Sequence, residues 1–268
     1  MAKDPWDKDM RKNDPREEGL MEEPLPTTNS PQSLHLSIVA PKGWELLAGL
    51  IYLLLHLFLI GRLLARLFGA LGLSLTLAQF NLAFLSLGTV FLGISMRAYL
   101  RESFVRFRAF GRKNLWALPL GYLIRFGLSY PIFFLVMFLL QTPDVSNPNQ
   151  EVVQYIIGQD FLLGAFWAIV LAPFVEEILF RGALFGPLRA RNRFLAYSVS
   201  TLAFGFLHIT ASVFLAFSPT LLLVMLLYFP AGIALCWAYE KSGNIWTPIF
   251  LHMLMNLVAL LAVTFVTL

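Results

Sequence analysis

Two adjacent glutamates, Glu176 and Glu177, and an arginine, Arg181, stand within an otherwise apolar run that begins at Pro173. A charge near the centre of a bilayer costs about 2.5–3.5 kcal/mol on insertion scales, so ionisable groups in such a run call for a functional reason. Helical spacing divides the three. Glu177 precedes Arg181 by one turn in the favourable acid-first order, whereas Glu176 points about 100° away. One carboxylate is thus neutralised by the guanidinium and the other is free for chemistry. The same spacing puts Phe204 and His208 on one helix face, and His252 and Asn256 on another. A carboxylate, two imidazoles and an amide suit hydrolysis, with Glu176 as general base and imidazole or amide donors stabilising an oxyanion. Glu176, His208 and His252 equally suit a catalytic zinc with one open position.

These groups must be held by membrane helices. Hydrophobic residues make up 58% of 268 positions and charged residues 13%, and several apolar runs are long enough to span a bilayer. The expected fold is an all-α, polytopic bundle of seven spans. They run over 44–61, 78–96, 115–140, 161–185, 194–209, 220–239 and 245–265. A re-entrant segment between Ala211 and Pro219 would change that count. A Gly-rich connector carrying Arg62 and Arg66 follows the first span, a loop covers 141–160, and Gly186 and Pro187 end the fourth span. The domain reading is a disordered cytoplasmic tail over 1–43, N-terminal helices over 44–160 and a catalytic region over 161–268. The tail is charged, proline-rich and without the apolar core of a secretory signal.

Orientation follows from Lys and Arg outside the spans. With the N-terminus cytoplasmic, sixteen fall inside and two, Arg62 and Arg66, fall outside. Trp44, Trp116, Trp237 and Trp246 then mark cytoplasmic span ends. Measured from those ends, Glu176 lies about 15 Å deep, His208 about 21 Å and His252 about 11 Å, so the three can meet near mid-membrane. The pI of 9.3 reflects this topology and does not point to nucleic acid. Cys236 reads as a buried hydrophobe, and a single cysteine excludes an intrachain disulfide. His56 and Arg125 match no motif and read as structural or snorkelling residues.

Glu176, Glu177 and Arg181, then Phe204 and His208, then His252 and Asn256 resemble, in order and spacing, the three motifs of the CAAX-protease and bacteriocin-processing (CPBP, or Abi) family of intramembrane proteases. The resemblance covers roughly residues 160–260. It implies a bacterial-type membrane endopeptidase with Glu176 as water-activating base and His208 as the first motif histidine. His252 and Asn256 match the pair that binds or polarises the scissile carbonyl, and Glu177 and Arg181 match supporting positions. Phe204 packs beneath His208. The family includes both metallo- and glutamate-type descriptions, so a divalent metal such as zinc on Glu176, His208 and His252 stays open. Expected partners are membrane lipids and a peptide or protein substrate, prenylated or not. The expected location is the bacterial plasma membrane, with an organelle membrane as the alternative. A non-catalytic scaffold or bacteriocin-immunity factor is the competing function, and a transporter is a weaker one, since no internal repeat is visible.

Overall fold

Long apolar runs can satisfy their backbone inside a bilayer only as helices or closed barrels. In the computed structural model this chain takes the first route: the described residues, 38–142, 145 and 147–266, are helical with no strand among them. The helices are α1 (Gly43–Phe58), α2 (Ile60–Ala70), α3 (Leu77–Ser95), α4 (Arg97–Leu140), α5 (Pro148–Gln159), α6 (Phe161–Arg189), α7 (Arg193–Leu215), α8 (Thr220–Ser242) and α9 (Trp246–Val266). Among the described residues six helices are long and apolar enough to cross a membrane, and α1 with α2, bent by 60°, makes a seventh. The fold is an all-α polytopic bundle.

Several boundaries differ from the sequence reading, each for a local reason. The connector after the first span is helical, because Ile60, Leu63, Leu64 and Leu67 recur at three- and four-residue spacing and give α2 one apolar face. Arg62 on that helix lies 4.1 Å over the ring of Phe214 in α7. The expected loop over 141–160 contains α5. Asn147 caps it by accepting from Gln150 N at 3.3 Å, and Pro148 takes the first helical position, where a missing N–H costs nothing. The stretch from Ala211 to Pro219 is divided: α7 continues to Leu215, and an extended Ala216 leads into a turn before Thr220. Most of the expected tail, up to residue 37, lies outside the described residues. Val39, assigned to that tail, is instead buried; its N–H donates to Gly243 O at 3.0 Å and its carbonyl accepts from Tyr239 Oη.

The fourth span does not stop at Gly186 and Pro187. Within α6 two segments, Trp167–Leu171 and Ile178–Phe185, widen into π-helical turns, and each returns to α-helix at a proline, Pro173 and Pro187. Where hydrogen bonding shifts from five residues back to four, one donor is not needed. Proline, lacking an N–H, fits there without breaking the helix.

Polar ties hold the end of the bundle where the α8–α9 turn lies. Met96 offers α4 no capping oxygen, and Glu45 of α1 supplies it, accepting from the N–H groups of Ala98 at 2.9 Å and Tyr99 at 3.0 Å. The α8–α9 turn, which needs the left-handed Gly243 (φ 68°), is held against α4 by Ile245 N to Ser103 Oγ at 2.7 Å and Asn244 Nδ2 to Asn114 Oδ1 at 3.0 Å. A kink at Gly111 sets the basic arm of α4, which carries Arg97, Arg101 and Arg108, apart from its span, Asn114–Leu140. Gly88 lets α3 approach α1 and α6; a Cβ there would lie 2.7 Å from Tyr52 Oη and 3.2 Å from Val175, the neighbour of Glu176.

Candidate active site

The two π-helical segments flank Ala172–Glu177, so the glutamate pair sits in a short α-helical insert between widened turns. Glu177 and Arg181 are fully buried, and Arg181 Nη1 donates to Glu177 Oε1 at 2.9 Å, the pairing that the four-residue spacing predicts. Arg181 also donates from Nη2 to Gly232 O of α8 at 3.2 Å and lies 4.4 Å over the Phe204 ring.

His252 is placed differently from the sequence expectation. Its Nδ1 is 2.8 Å from Glu177 Oε1, so Glu177 takes a cation from its own helix and an imidazole from α9 on one oxygen. A carboxylate accepts only, hence Nδ1 carries the proton and Nε2 is the ring's free position. His208 is fixed in the same sense: Nδ1 donates to Phe204 O at 2.8 Å, one turn back on α7. Phe204 packs between both imidazoles, with ring centroids 4.6 Å from His208 and 5.7 Å from His252.

Asn256 completes a backbone defect. The N–H of Ala172 bonds to Trp167 O, and the next residue, Pro173, has none to give, so the carbonyl of Ala168 is passed over. Asn256 Nδ2 donates to it at 2.8 Å. One of its two amide hydrogens is thereby used as an interhelical tie, and the other is available.

Glu176, His208, His252 and Asn256 all line one cavity of about 420 Å³. Glu176 Oε2 is buried and has no hydrogen-bond partner there; Glu177 Oε2 is likewise unpartnered, but its Oε1 is doubly engaged and Glu177 does not line the cavity. The cavity also contains groups that helix motifs did not single out. Tyr228 stacks on His208 at 4.2 Å and donates to Asn147 Oδ1 at 2.7 Å, joining the imidazole to the cap of α5. Asn149, Gln150 and Gln154 of α5 add an amide wall, and His56 and Arg125, read as structural from sequence, line it too. The signal for α5 was legible in Asn147 followed by Pro148; the stacking of Tyr228 had none.

For a metal, the protonated Nδ1 atoms leave Nε2 of both rings as the lone-pair nitrogen a ligand needs. The side chains do not close into a ligand set, however: among the described residues no three His, Cys, Asp or Glu groups are placed to hold an ion.

Comparisons with known proteins agree with the motif resemblance. Residues 158–258 match the family model described as "Type II CAAX prenyl endopeptidase Rce1-like". A protein of Bacillus subtilis (strain 168) named "Putative membrane peptidase YdiL" is 28% identical over 149 residues, 54% of this chain and 54% of that one. The chain thus matches about half the length of this curated relative. No solved structure matches. The matched region begins just before α6 and ends within α9, spanning every motif residue.

Proposed function

We propose that the protein is an intramembrane endopeptidase acting on membrane-associated peptides or proteins, with Glu176 as the base that activates water. The observation that carries this reading is the unpartnered Glu176 Oε2 in a cavity shared with two imidazoles and an amide. Glu176 takes a proton from water, and the water oxygen attacks the scissile carbonyl carbon. The carbonyl electron pair moves to oxygen, and the oxyanion is met by the second Asn256 N–H, beside which the bond from His252 Nδ1 to Glu177 Oε1 fixes the imidazole. His208, with Nδ1 held by Phe204 O, offers the Nε2 lone pair to orient the water. The C–N bond then breaks as the protonated Glu176 returns its proton to the leaving nitrogen, giving an acid and an amine.

Glu176, His208 and His252 are the donors a zinc ion would draw on, and it would supply carbonyl polarisation and a more acidic water. Since they do not converge, the steps above use none. The family match and the relative's name support a membrane peptidase, and the bacterial relative supports a bacterial plasma membrane. The test is a comparison of peptides released in the native membrane by wild type and by Glu176→Gln, each with and without a chelator. Peptides released by wild type alone, with or without chelator, are expected. Equal release by Glu176→Gln would reject the general base and leave a scaffold role. Loss of release with chelator would assign a metal.

A further inference from the structure

The cavity that holds Glu176 lies toward one end of the bundle, the end where α5 sits. His56 lines it from the last turn of α1, Asn81 from the first turns of α3, and α9 contributes from His252 onward, away from the α8–α9 turn. Helix α5 itself supplies Gln150 and Gln154, and Gln154 is exposed, so the wall reaches the surface there. Toward the α8–α9 turn the bundle is filled. Glu177 and Arg181 are fully buried, the buried hydroxyls of Tyr99 and Tyr239 meet at 3.0 Å, and Asn114 holds Asn244 of the turn itself at 3.0 Å. Water and peptide therefore reach Glu176 from the α5 end.

The two ends differ in charge as well. Around the filled end lie Lys42, six Lys or Arg on 97–113, three Arg on 189–193 and Lys241. The α5 end has Arg62 and Arg66 on α2, and the sequence carries neither Lys nor Arg over 141–160 or 211–219. Short loops rich in Lys and Arg stay on the cytoplasmic side, which puts the filled end in the cytoplasm and the open end on the far side. We propose that the protein takes its substrate from the non-cytoplasmic side of the membrane, as an exported peptide or a segment of a membrane protein exposed on that side. The carboxamides of α5 suit such a segment, since each offers a donor and an acceptor to a peptide backbone and selects no charge. A chain terminus presented in the cytoplasm meets the filled end and has no path to Glu176. This rests on the peptidase reading above and gives its substrate class.

The test uses the full-length chain with its one cysteine removed by Cys236→Ala, in right-side-out and inside-out vesicles of the native membrane. Single thiols are introduced by Gln154→Cys at the rim, Ala259→Cys within the cavity wall and Arg108→Cys on the exposed basic arm. Each is treated with a membrane-impermeant trimethylammonium thiosulfonate. Gln154→Cys and Ala259→Cys are expected to react about a hundredfold faster in right-side-out vesicles and Arg108→Cys about a hundredfold faster in inside-out ones, the scale set by carrying a charge through the hydrocarbon core. The opposite order, equal rates, or an Ala259→Cys thiol unreactive from both sides would overturn the assignment. A second measurement does not depend on the cysteine variants: peptides released by wild type and lost in Glu176→Gln should map to non-cytoplasmic segments of their parent proteins, and cytoplasmic segments would overturn the proposal. Failure of the peptidase reading is separate: it appears as no peptide released by wild type, while the labelling still reports the side on which the cavity opens.

Discussion

Replacing Glu177 with Gln keeps the shape of the side chain and removes its charge, leaving Arg181 a fully buried cation with only Gly232 O and the face of Phe204. Breaking one side of a buried pair costs about 3–5 kcal/mol, because the remaining charge stays out of water. For a chain of this size about 2–4 °C of melting temperature corresponds to each kcal/mol, which gives a fall of about 6–20 °C. The assay is thermal unfolding in detergent, followed by helix signal and run beside wild type. A second variant separates charge from packing. Glu177→Leu with Arg181→Met removes both ions, and most of the loss should return, since apolar residues of similar volume replace buried pairs at little cost. What remains lost are the bonds of Arg181 to Gly232 O and of His252 Nδ1 to Glu177 Oε1, about 1 kcal/mol each. Activity should not return, because His252 Nδ1 has lost its acceptor. A change under about 2 °C in Glu177→Gln, or a double variant as unstable as the single one, would refute the view of Glu177 as the counter-ion that keeps Arg181 buried.

Glu176→Gln should melt at or above wild type while losing turnover, because its Oε2 has no partner to lose; a marked drop in stability would show a structural role instead. Asn256→Ala leaves Ala168 O without a donor and should cost about 1–3 kcal/mol, and Pro173→Ala added to it should recover part of this by restoring a backbone N–H nearby. A strictly additive pair in a double-mutant cycle would contradict that link. Gly88→Ala should destabilise by about 1–3 kcal/mol by pushing on Tyr52 Oη, and slow turnover as it also presses Val175 beside Glu176, whereas Gly93→Ala, with nothing within 4 Å, should do neither; equal behaviour of the two would show that α3 yields freely.

The sequence carried azimuth well and adjacency poorly. Four-residue spacing predicts the bond between Glu177 and Arg181, and it holds even though Arg181 lies in a π-helical turn. It also puts His252 and Asn256 on one face, but which carboxylate His252 meets depends on how α9 abuts α6, and that partner is Glu177. Pro187 reads as a terminator because regular α-helix has no room for it; the widened turn ahead of it makes that room. Arg125 and His56 belong to no motif, and only the packing of α4 against α8 and α9 and of α1 against α6 brings them to the cavity. The polarity of α5 reads as a loop although Asn147 and Pro148 mark a helix start, because a wall lined with amides and a loop share that composition.

The bond from Asn256 to Ala168 O acts as an index pin between two helices that could otherwise slide. Apolar faces in lipid tolerate translation, whereas a slip of one residue turns a side chain by about 100° and a slip of one turn moves it by about 5.4 Å. A single passed-over carbonyl, created by Pro173, gives the amide one place to engage. One turn along the same face, His252 then arrives at the level of Glu177. A proline that interrupts one helix's own bonding thus sets the vertical position of an imidazole on another.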